Sequence, residues 1–318
     1  MRPYVPLFRS PHLQTIAANY WHRPLETARF PVRAVKYQTE REVSVLVEEQ
    51  RPDGNPKGSL VLVHGLEGSS RSGYMLSMAQ AALERGYAVY RMNLRGCGGT
   101  ERLCKTLYHS GLTSDLLAVI RAIPGPVFVA GYSLGGNVTL KLAGELGLRA
   151  AGLVEAVCAV STPIDLAACV RRLGQPENFL YEWRFLGRMK ARMRERHRLW
   201  PEVFSLDGLD KIRTIYEIDD RITAPHFGFG TADNYYATQS SHLFLDDIRV
   251  PALVITSKDD PLVPFHVYDH PAFRRNSSLR LLAPDHGGHV AFLSRSKPRF
   301  WLDGAILDWM EDTGNKSD

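Results

Sequence analysis

Short apolar runs alternate with segments of helical periodicity over most of this chain. The runs are nearly continuous, as is typical of strands buried on both faces, and they lie at residues 58–65, 87–94, 127–132, 153–160, 252–256 and 279–283. Apolar side chains recur at helical spacing in residues 74–83, 110–123, 134–143 and 300–310. The alternation predicts an α/β fold with a mostly parallel sheet and helices on both faces.

The pattern changes in two places. Residues 33–39 and 43–49 alternate apolar and polar positions across a short polar connection, which predicts an antiparallel pair at the edge of the sheet. Residues 163–247 are polar, aromatic and rich in arginine, and the strand pattern resumes only at residue 251. We therefore expect a core of residues 1–162 and 248–318, with a largely helical cap, residues 163–247, inserted before the last two strands. The polar tail after Asp312 is expected to lie beyond the last helix.

Four arginines recur at helical spacing within the predicted cap: Arg184, Arg188, Arg192 and Arg196. Like charges one turn apart destabilise an isolated helix by a few tenths of a kcal/mol each, so they need partners. One interpretation is a solvated cap face paired with local carboxylates. The other is an amphipathic helix that contacts an anionic lipid surface.

The composition limits the function classes further. The chain has 318 residues, of which 44% are hydrophobic and 23% charged, and its net charge is +5. This charge is too small to indicate nucleic-acid binding without a localised patch, although it permits peripheral membrane contact through the cap. The four cysteines form no CxxC pair and are interpreted as reduced packing residues. No signal peptide and no run of 18 apolar residues is recognisable, so a cytoplasmic protein is expected; the pattern predicts no oligomeric state.

A candidate nucleophile lies at the end of one predicted strand. Residues 127–137 read VFVAGYSLGGN, which places Ser133 between a buried strand and a helix in a GxSxG sequence. This is the context of a nucleophile elbow. The flanking glycines, Gly131 and Gly135, fit a strained turn at which strand and helix approach closely.

A serine hydroxyl needs a base to take its proton and an acid to orient that base. In the chain order Ser, Asp, His, the candidates are Asp260 and His289, which follow the last two predicted strands. Asp259 is the alternative acid, and His286 is the alternative base. The two glycines before His289 allow its loop to bring the imidazole towards the serine.

The oxyanion formed during attack on a carbonyl needs two donors. The backbone N–H of Leu134 follows the nucleophile, and the N–H of Leu66 belongs to the loop after the first buried parallel strand. His64 in that loop is interpreted as structural. The sequence contains no HExxH, no GxxxxGK and no Cys/His cluster, so neither a metal nor another cofactor is expected.

These segments together resemble the α/β-hydrolase superfamily and, more narrowly, its YheT-like group, AB hydrolase family four. The matching motifs are PHLQT at 11–15, HGLEGSS at 64–70, NLRGCGG at 93–99, YHSG at 108–111, GYSLGGN at 131–137, DDRITAP at 219–225, YY at 235–236, DDP at 259–261 and GGH at 287–289. Ile218 stands where that group often has an aromatic residue.

The resemblance implies a carboxylesterase or lipase-like serine hydrolase of EC 3.1.1 type that uses Ser133, Asp260 and His289. Its substrates would be esters of short to medium acyl chains, extending to monoacylglycerols or other lipids. Two alternatives remain at this point: an acyltransferase with the same triad, and a non-catalytic binding protein on the same fold.

Overall fold

The computed structural model describes residues 3–314. Within this range eight strands form one sheet: β1 Arg33–Glu40, β2 Val43–Gln50, β3 Ser59–Val63, β4 Ala88–Met92, β5 Val127–Tyr132, β6 Ala156–Val160, β7 Ala252–Ile255 and β8 Leu279–Leu282. The helices within it are α1 Pro11–Tyr20, α2 Gly73–Glu84, α3 Ser114–Ala122, α4 Leu134–Leu146, α5 Leu166–Leu173, α6 Phe179–Leu199, α7 Ile215–Ile218, α8 Ala224–His226, α9 Ala232–Gln239, α10 Ala272–Arg275 and α11 Trp301–Gly314.

The central strands are apolar throughout because both faces of the sheet are covered. Leu60 and Leu62 of β3 pack in the same layer as helices α2 and α11, whereas Val61 and Val63 pack in the layer that contains α3 and α4. Successive side chains of a strand point to opposite faces, so each layer takes every second residue. The predicted α/β architecture is confirmed.

The sheet has the strand order β1-β2-β4-β3-β5-β6-β7-β8. β1 and β2 pair antiparallel, as predicted, and β2 also pairs antiparallel with β4. All other neighbours are parallel, and β5 lies between β3 and β6. The carboxyl ends of β3, β5, β7 and β8 therefore meet at one edge of the sheet, where ligands bind in open α/β folds.

Helices α5 to α9 all lie in the segment between β6 and β7. Apolar side chains of α8 and α9 pack with Leu166 of α5 in one cluster, and those of α5, α6 and α7, among them Leu186 and Met193, form another. The same cluster contains Leu107 and Leu262, which belong to loops of the sheet-bearing part of the chain. The helical segment is therefore packed directly against the edge at which the strands end.

Helix α1 has no counterpart among the sequence-based expectations. The side chain of Ser10 caps it by accepting from the N–H of Leu13, and Pro11 occupies the first turn. Both are ordinary signals for the start of a helix. At the other end of the chain, α11 extends beyond the predicted residue 310 to Gly314, and the remainder of the predicted polar tail lies outside the described residues.

No helix in residues 3–314 combines the length and the apolar character that crossing a membrane requires.

Candidate active site

Ser133 lies on a strained turn between β5 and α4. Its φ is 52°, a left-handed conformation that non-glycine residues adopt rarely. A Cβ on Gly131 would overlap the carbonyl oxygen of Gly135, and a Cβ on Gly135 would overlap the carbonyl oxygen of Val63. The two glycines are thus required by close backbone approach, and the turn presents the serine hydroxyl at the edge of the sheet.

The imidazole of His289 reaches this hydroxyl from the loop after β8. Its Nε2 lies 3.0 Å from Ser133 Oγ. The backbone N–H of His289 donates to Thr15 Oγ1 at 2.9 Å, and the next N–H, that of Val290, donates to Ser161 Oγ at 3.0 Å. Two side chains distant in sequence therefore hold the histidine loop in place.

Asp260 binds the other nitrogen of this imidazole. Its Oδ2 and Oδ1 lie 2.9 and 3.1 Å from His289 Nδ1. Because a carboxylate accepts, Nδ1 carries the proton, and Nε2 is left free to accept from Ser133. Asp260 Oδ1 also accepts the N–H groups of Leu262 and Val263 at 2.9 and 3.1 Å, which fixes the carboxylate.

The two alternative residues lie next to this chain of hydrogen bonds and make different contacts. Asp259 Oδ1 accepts from the N–H of Gly288 at 3.0 Å, and its Oδ2 lies 3.1 Å from His286 Nδ1. The side chain of His286 is 41% exposed. Asp259 therefore holds the loop that carries His289, whereas Asp260 contacts the imidazole itself.

Two backbone N–H groups are free near the hydroxyl. Among the described residues, neither the N–H of Leu66 nor that of Leu134 donates to a protein acceptor. Leu66 follows Gly65, whose added Cβ would lie 3.0 Å from Ser133 Cβ, so this loop lies against the serine. Leu134 is the first residue of α4, where the helix dipole adds positive potential. Both N–H groups can donate to a developing oxyanion.

His64 connects two loops and takes no part in this hydrogen-bond chain. Its Nε2 accepts from the N–H of Leu94 at 3.1 Å, so Nδ1 carries the proton and donates to the carbonyl oxygen of Gly65 at 2.8 Å. Burial lowers the pKa of His64 to about 4. The ring is neutral and both nitrogens are occupied, as a structural residue requires.

A buried ion pair connects α6 to the loop after β3. Arg192 Nη2 and Nε lie 2.8 and 3.1 Å from the carboxylate of Glu67, and the two side chains are 13% and 4% exposed. Tyr108 completes the cluster, since its hydroxyl donates to Glu67 Oε1 at 3.1 Å and accepts from the N–H of Glu67 at 3.2 Å. Glu67 itself has a φ of 57° and directly follows Leu66.

The C-terminal half of the predicted arginine stripe therefore differs from both interpretations. Arg192 has a carboxylate partner, but the pair is buried. Arg196 is 0% exposed, donates to the carbonyl oxygen of Cys104 at 3.1 Å and stacks over Phe204. The C-terminal half of the stripe faces inwards and cannot contact lipid. The cause is α6 packing onto the loops after β3 and β4, which periodicity alone does not show.

Two cavities meet at Ser133 and His289. We call the first the inner cavity; it has a volume of about 140 Å³, and most of its lining is apolar, including Leu173, Phe185 and Met189. We call the second the outer cavity; Ile16, Tyr20 and Arg188, all exposed, help to line it, so it reaches the surface. The hydroxyl of Ser133 is thus accessible from two sides.

Two carboxyl groups line the inner cavity: Glu67, which pairs with Arg192, and Asp219. Asp219 accepts from the hydroxyl of Tyr236 at 2.7 Å. Burial raises its pKa from 3.8 to about 6, against the opposing effect of that hydrogen bond. Asp219 therefore carries a negative charge only above about pH 6.

Sequence reasoning assigned no role to Thr15 or Glu67. Both belong to recognisable motifs, PHLQT and HGLEG, and Glu67 is the one acidic residue in the stretch HGLEGSS at 64–70. These were the available signals, but the partners, His289 and Arg192, are far away in sequence. No group of three or more His, Cys, Asp or Glu side chains within residues 3–314 is arranged to hold a metal ion.

A sequence model described as the alpha/beta hydrolase family matches residues 60–300. The chain belongs to the α/β-hydrolase family. This α/β-hydrolase is 31% identical in sequence to YheT of Escherichia coli, whose name describes it as a candidate esterase. The alignment covers 96% of this chain and 92% of YheT.

The chain is also similar in sequence to part of a longer protein and similar in fold to a solved structure. The chain is 29% identical over 78% of its length to mouse phospholipase ABHD3, and it spans 61% of that protein. The structure of the Pyrococcus furiosus esterase Pf2001 superposes with a TM-score of 0.60 at 16% identity, covering 92% of this chain and 95% of that one. At this identity the superposition shows the fold alone.

Proposed function

We propose that this α/β-hydrolase is a serine hydrolase that cleaves carboxylic esters through an acyl-enzyme intermediate. The observation that carries the proposal is the continuous hydrogen-bond chain from Ser133 through His289 to Asp260, located where two cavities meet. A binding protein would not need a hydroxyl, an imidazole and a carboxylate in this order of contact.

In the first half of the reaction, Ser133 Oγ attacks the ester carbonyl while His289 Nε2 takes the hydroxyl proton. Asp260 stabilises the imidazolium that forms. The N–H groups of Leu66 and Leu134 donate to the oxyanion of the tetrahedral intermediate. When the intermediate collapses, His289 returns the proton to the oxygen of the leaving alcohol, and the acyl group remains on Ser133.

In the second half, water replaces the alcohol. His289 takes a proton from the water, which attacks the acyl-enzyme, and the carboxylic acid leaves as Ser133 recovers its proton. The outer cavity reaches the surface and offers a route both for the departing alcohol and for the entering water. An acyltransferase would use the same site with an alcohol in place of the water.

The cavities suggest how an ester is oriented. The apolar inner cavity suits the acyl chain, and a volume of about 140 Å³ is close to that of an engineered apolar cavity that binds benzene. This favours acyl chains of short to medium length. The outer cavity would then take the alcohol. We further propose that residues 163–247 act as a cap, since Cys169, Phe185 and Met189 line the inner cavity.

The names of the relatives agree with an ester of this kind. The Escherichia coli relative is described as a candidate esterase and the mouse relative as a phospholipase. We infer an EC 3.1.1 type enzyme whose substrates include lipid esters.

The test replaces the nucleophile. The Ser133→Ala variant is expected to lose turnover of p-nitrophenyl butyrate by about a thousandfold or more and to lose labelling by a fluorophosphonate probe. The matched control is Ser277→Ala, which changes an exposed serine outside the site. Labelling that persists in Ser133→Ala would refute the assignment.

A second experiment separates ester hydrolysis from acyl transfer. Glycerol is added to the reaction and the product is identified, because a new ester in place of the acid indicates acyl transfer.

A further inference from the structure

Large apolar side chains are exposed on two neighbouring helices. On α1, Leu13, Ile16 and Tyr20 are 56%, 44% and 72% exposed. At the start of α6, Phe179, Leu180 and Trp183 are 63%, 70% and 68% exposed. Leu13, Ile16 and Tyr20 follow one another at spacings of three and four residues on α1, and Trp183 lies four and three residues after Phe179 and Leu180 on α6, so each set shares one side of its helix. We call these six residues the entrance face.

The two helices touch, so the two sets form one surface. Arg184 donates to the hydroxyl of Tyr20 at 3.0 Å. The rings of His12 and Tyr181 stack with their centroids 5.7 Å apart. On its buried side, α1 is held by Gln14, which donates to the carbonyl oxygen of Leu293 at 2.7 Å. The exposed apolar residues are therefore presented on a fixed support.

The entrance face borders the opening of the active site. Ile16 and Tyr20 line the outer cavity together with Tyr181 and Arg184, and the same cavity reaches Ser133. A substrate of low water solubility that leaves an apolar phase at this face would enter the cavity without crossing bulk water.

The surroundings of the face carry positive charge. The chain has no Asp or Glu between residues 3 and 25. The side chain of Arg299 lies over the ring of Trp21, and Arg295 and Lys297 nearby in sequence are exposed. In α6, the exposed Arg188 adds a further positive charge. This distribution is complementary to a negatively charged surface and not to a positively charged one.

Within the first four turns of α6, residues 179–192, Glu182 is the only acidic residue. It faces another partner, because its Oε1 accepts from the N–H of Ile215 at 3.1 Å. Glu177, just before the helix, pairs with Arg172 at 2.6 Å. Arg184 and Arg188 outnumber Glu182 within the helix, so the charge beside the entrance face is net positive.

We propose that the entrance face docks onto the surface of an anionic phospholipid bilayer. Tryptophan and tyrosine side chains with one apolar and one polar end suit the boundary between headgroups and acyl chains, and leucine, isoleucine and phenylalanine insert below it. The arginines and lysines bind the anionic headgroups, as on other amphipathic helices at membrane surfaces. That docking helps to deliver a lipid ester to Ser133 rests on the proposed function, but the docking itself needs no catalysis.

The test measures cosedimentation with vesicles of phosphatidylcholine alone and with vesicles containing an equal part of phosphatidylglycerol. The protein carries Ser133→Ala so that no lipid is cleaved during the assay. It is expected to sediment with the anionic vesicles at low ionic strength and less at high ionic strength. Adding Leu180→Ser and Trp183→Ser should weaken this binding by about tenfold or more. Leu148→Ser, which changes a leucine that is 81% exposed elsewhere on the chain, should bind like the parent.

Turnover of water-soluble p-nitrophenyl butyrate is measured in parallel with Ser133 intact. The Leu180→Ser/Trp183→Ser protein should keep this activity within about twofold, which also shows that it is folded. If the protein with Ser133 intact does not hydrolyse p-nitrophenyl butyrate but still binds anionic vesicles, the proposed function is contradicted and the docking proposal is supported.

Four results would overturn the docking proposal, and three of them concern vesicle binding. They are no binding to anionic vesicles, equal binding to both kinds of vesicle, and equal binding by the doubly substituted and parent proteins. A fourth is a dimer on size-exclusion chromatography that the double substitution converts to a monomer, because a second copy would then cover the entrance face.

Discussion

Asp259 and Asp260 are adjacent in the chain, yet the structure gives them separate contacts. The carboxylate of Asp260 is 0% exposed and accepts from His289 Nδ1 and from two backbone N–H groups. That of Asp259 accepts from the N–H of Gly288 and contacts His286. At the scale of single residues, therefore, only one of the two carboxylates is placed to stabilise an imidazolium.

The substitutions Asp260→Asn and Asp259→Asn test this difference. Asp260→Asn keeps the shape but cannot hold His289 in the required tautomer, so kcat should fall by about ten-thousandfold, as the equivalent change does in a serine protease. Asp259→Asn should lower kcat by about tenfold at most, through a less well-fixed loop. Steady-state kinetics on p-nitrophenyl butyrate separate the two, and equal losses would contradict the assignment.

Asp219 is a second residue with a distinct prediction. Its folded-state pKa of about 6 lies above the ordinary value of 3.8, so the folded state keeps its proton where the unfolded state has lost it. Stability therefore falls as the pH rises from about 4 to about 6 and stays lower above that range. The full shift corresponds to about 3 kcal/mol.

The Asp219→Asn variant removes this charge and keeps an acceptor for the hydroxyl of Tyr236. In urea unfolding it should be more stable than the parent at pH 8, by up to about 3 kcal/mol, and similar to it near pH 4. The control is Asp233→Asn, an exposed carboxylate in α9, whose unfolding should keep the parent's pH dependence. The same pH dependence in Asp219→Asn would refute the prediction.

Among the elements, α1 and α6 hold the loops of the site from outside the sheet. Helix α1 supplies Thr15, which accepts from the N–H of His289, and α6 supplies Arg192, which pairs with Glu67 next to the candidate oxyanion donor Leu66. Helix α6 therefore connects the segment over the inner cavity with the loop that is proposed to bind the oxyanion.

Replacing Arg192 with methionine tests this connection. Glu67 would remain buried without its cation, so the protein should lose about 3 kcal/mol of stability, and kcat should fall more than KM changes. Arg194→Met is the matched control, since Arg194 forms an exposed pair with Asp210 and its loss should cost at most about 1 kcal/mol.

A second substitution distinguishes the buried charge from a general packing defect. Adding Glu67→Gln to Arg192→Met removes the unpaired carboxylate and should recover part of the lost stability in urea unfolding. The prediction fails if the double variant is no more stable than Arg192→Met.

At the scale of the whole molecule, two apolar layers enclose one sheet, and all four cysteines lie within the packed structure. Cys97, Cys104, Cys158 and Cys169 are free and buried. Burial raises the pKa of Cys97 to about 12 and also raises the pKa values of Cys158 and Cys169. All four thiols therefore lack access to solvent, and the raised pKa values of Cys97, Cys158 and Cys169 also lower the reactivity of these three.

A thiol reagent should consequently report global unfolding. The native protein is expected to react with DTNB only slowly at pH 8, and in denaturing urea four thiols per chain should react promptly. The absorbance of the released thiolate gives the count. Rapid reaction of one thiol in the native protein would show that part of the structure opens locally.

The local pattern was sufficient for most of the fold and for the candidate residues of the site. Apolar runs and helical spacing depend on each segment alone, and they predicted the alternation of strands and helices, the antiparallel edge pair and the elbow at Ser133. Chain order and glycine spacing then predicted that Asp260 and His289 lie near that serine. The structure brings their side chains into contact, and their catalytic roles remain predictions.

Tertiary packing decided what the local pattern left open. The sequence favoured Asp260 but left Asp259 open, did not show Arg192 and Arg196 facing inwards, and gave no role to Thr15, whose partner His289 lies 274 residues away. A pattern describes the faces of one element, whereas these contacts depend on which faces of two distant elements meet. Which faces meet depends on how the sheet and the helices on both sides of it pack together. The same packing leaves the apolar residues of α1 and α6 exposed beside the opening to Ser133.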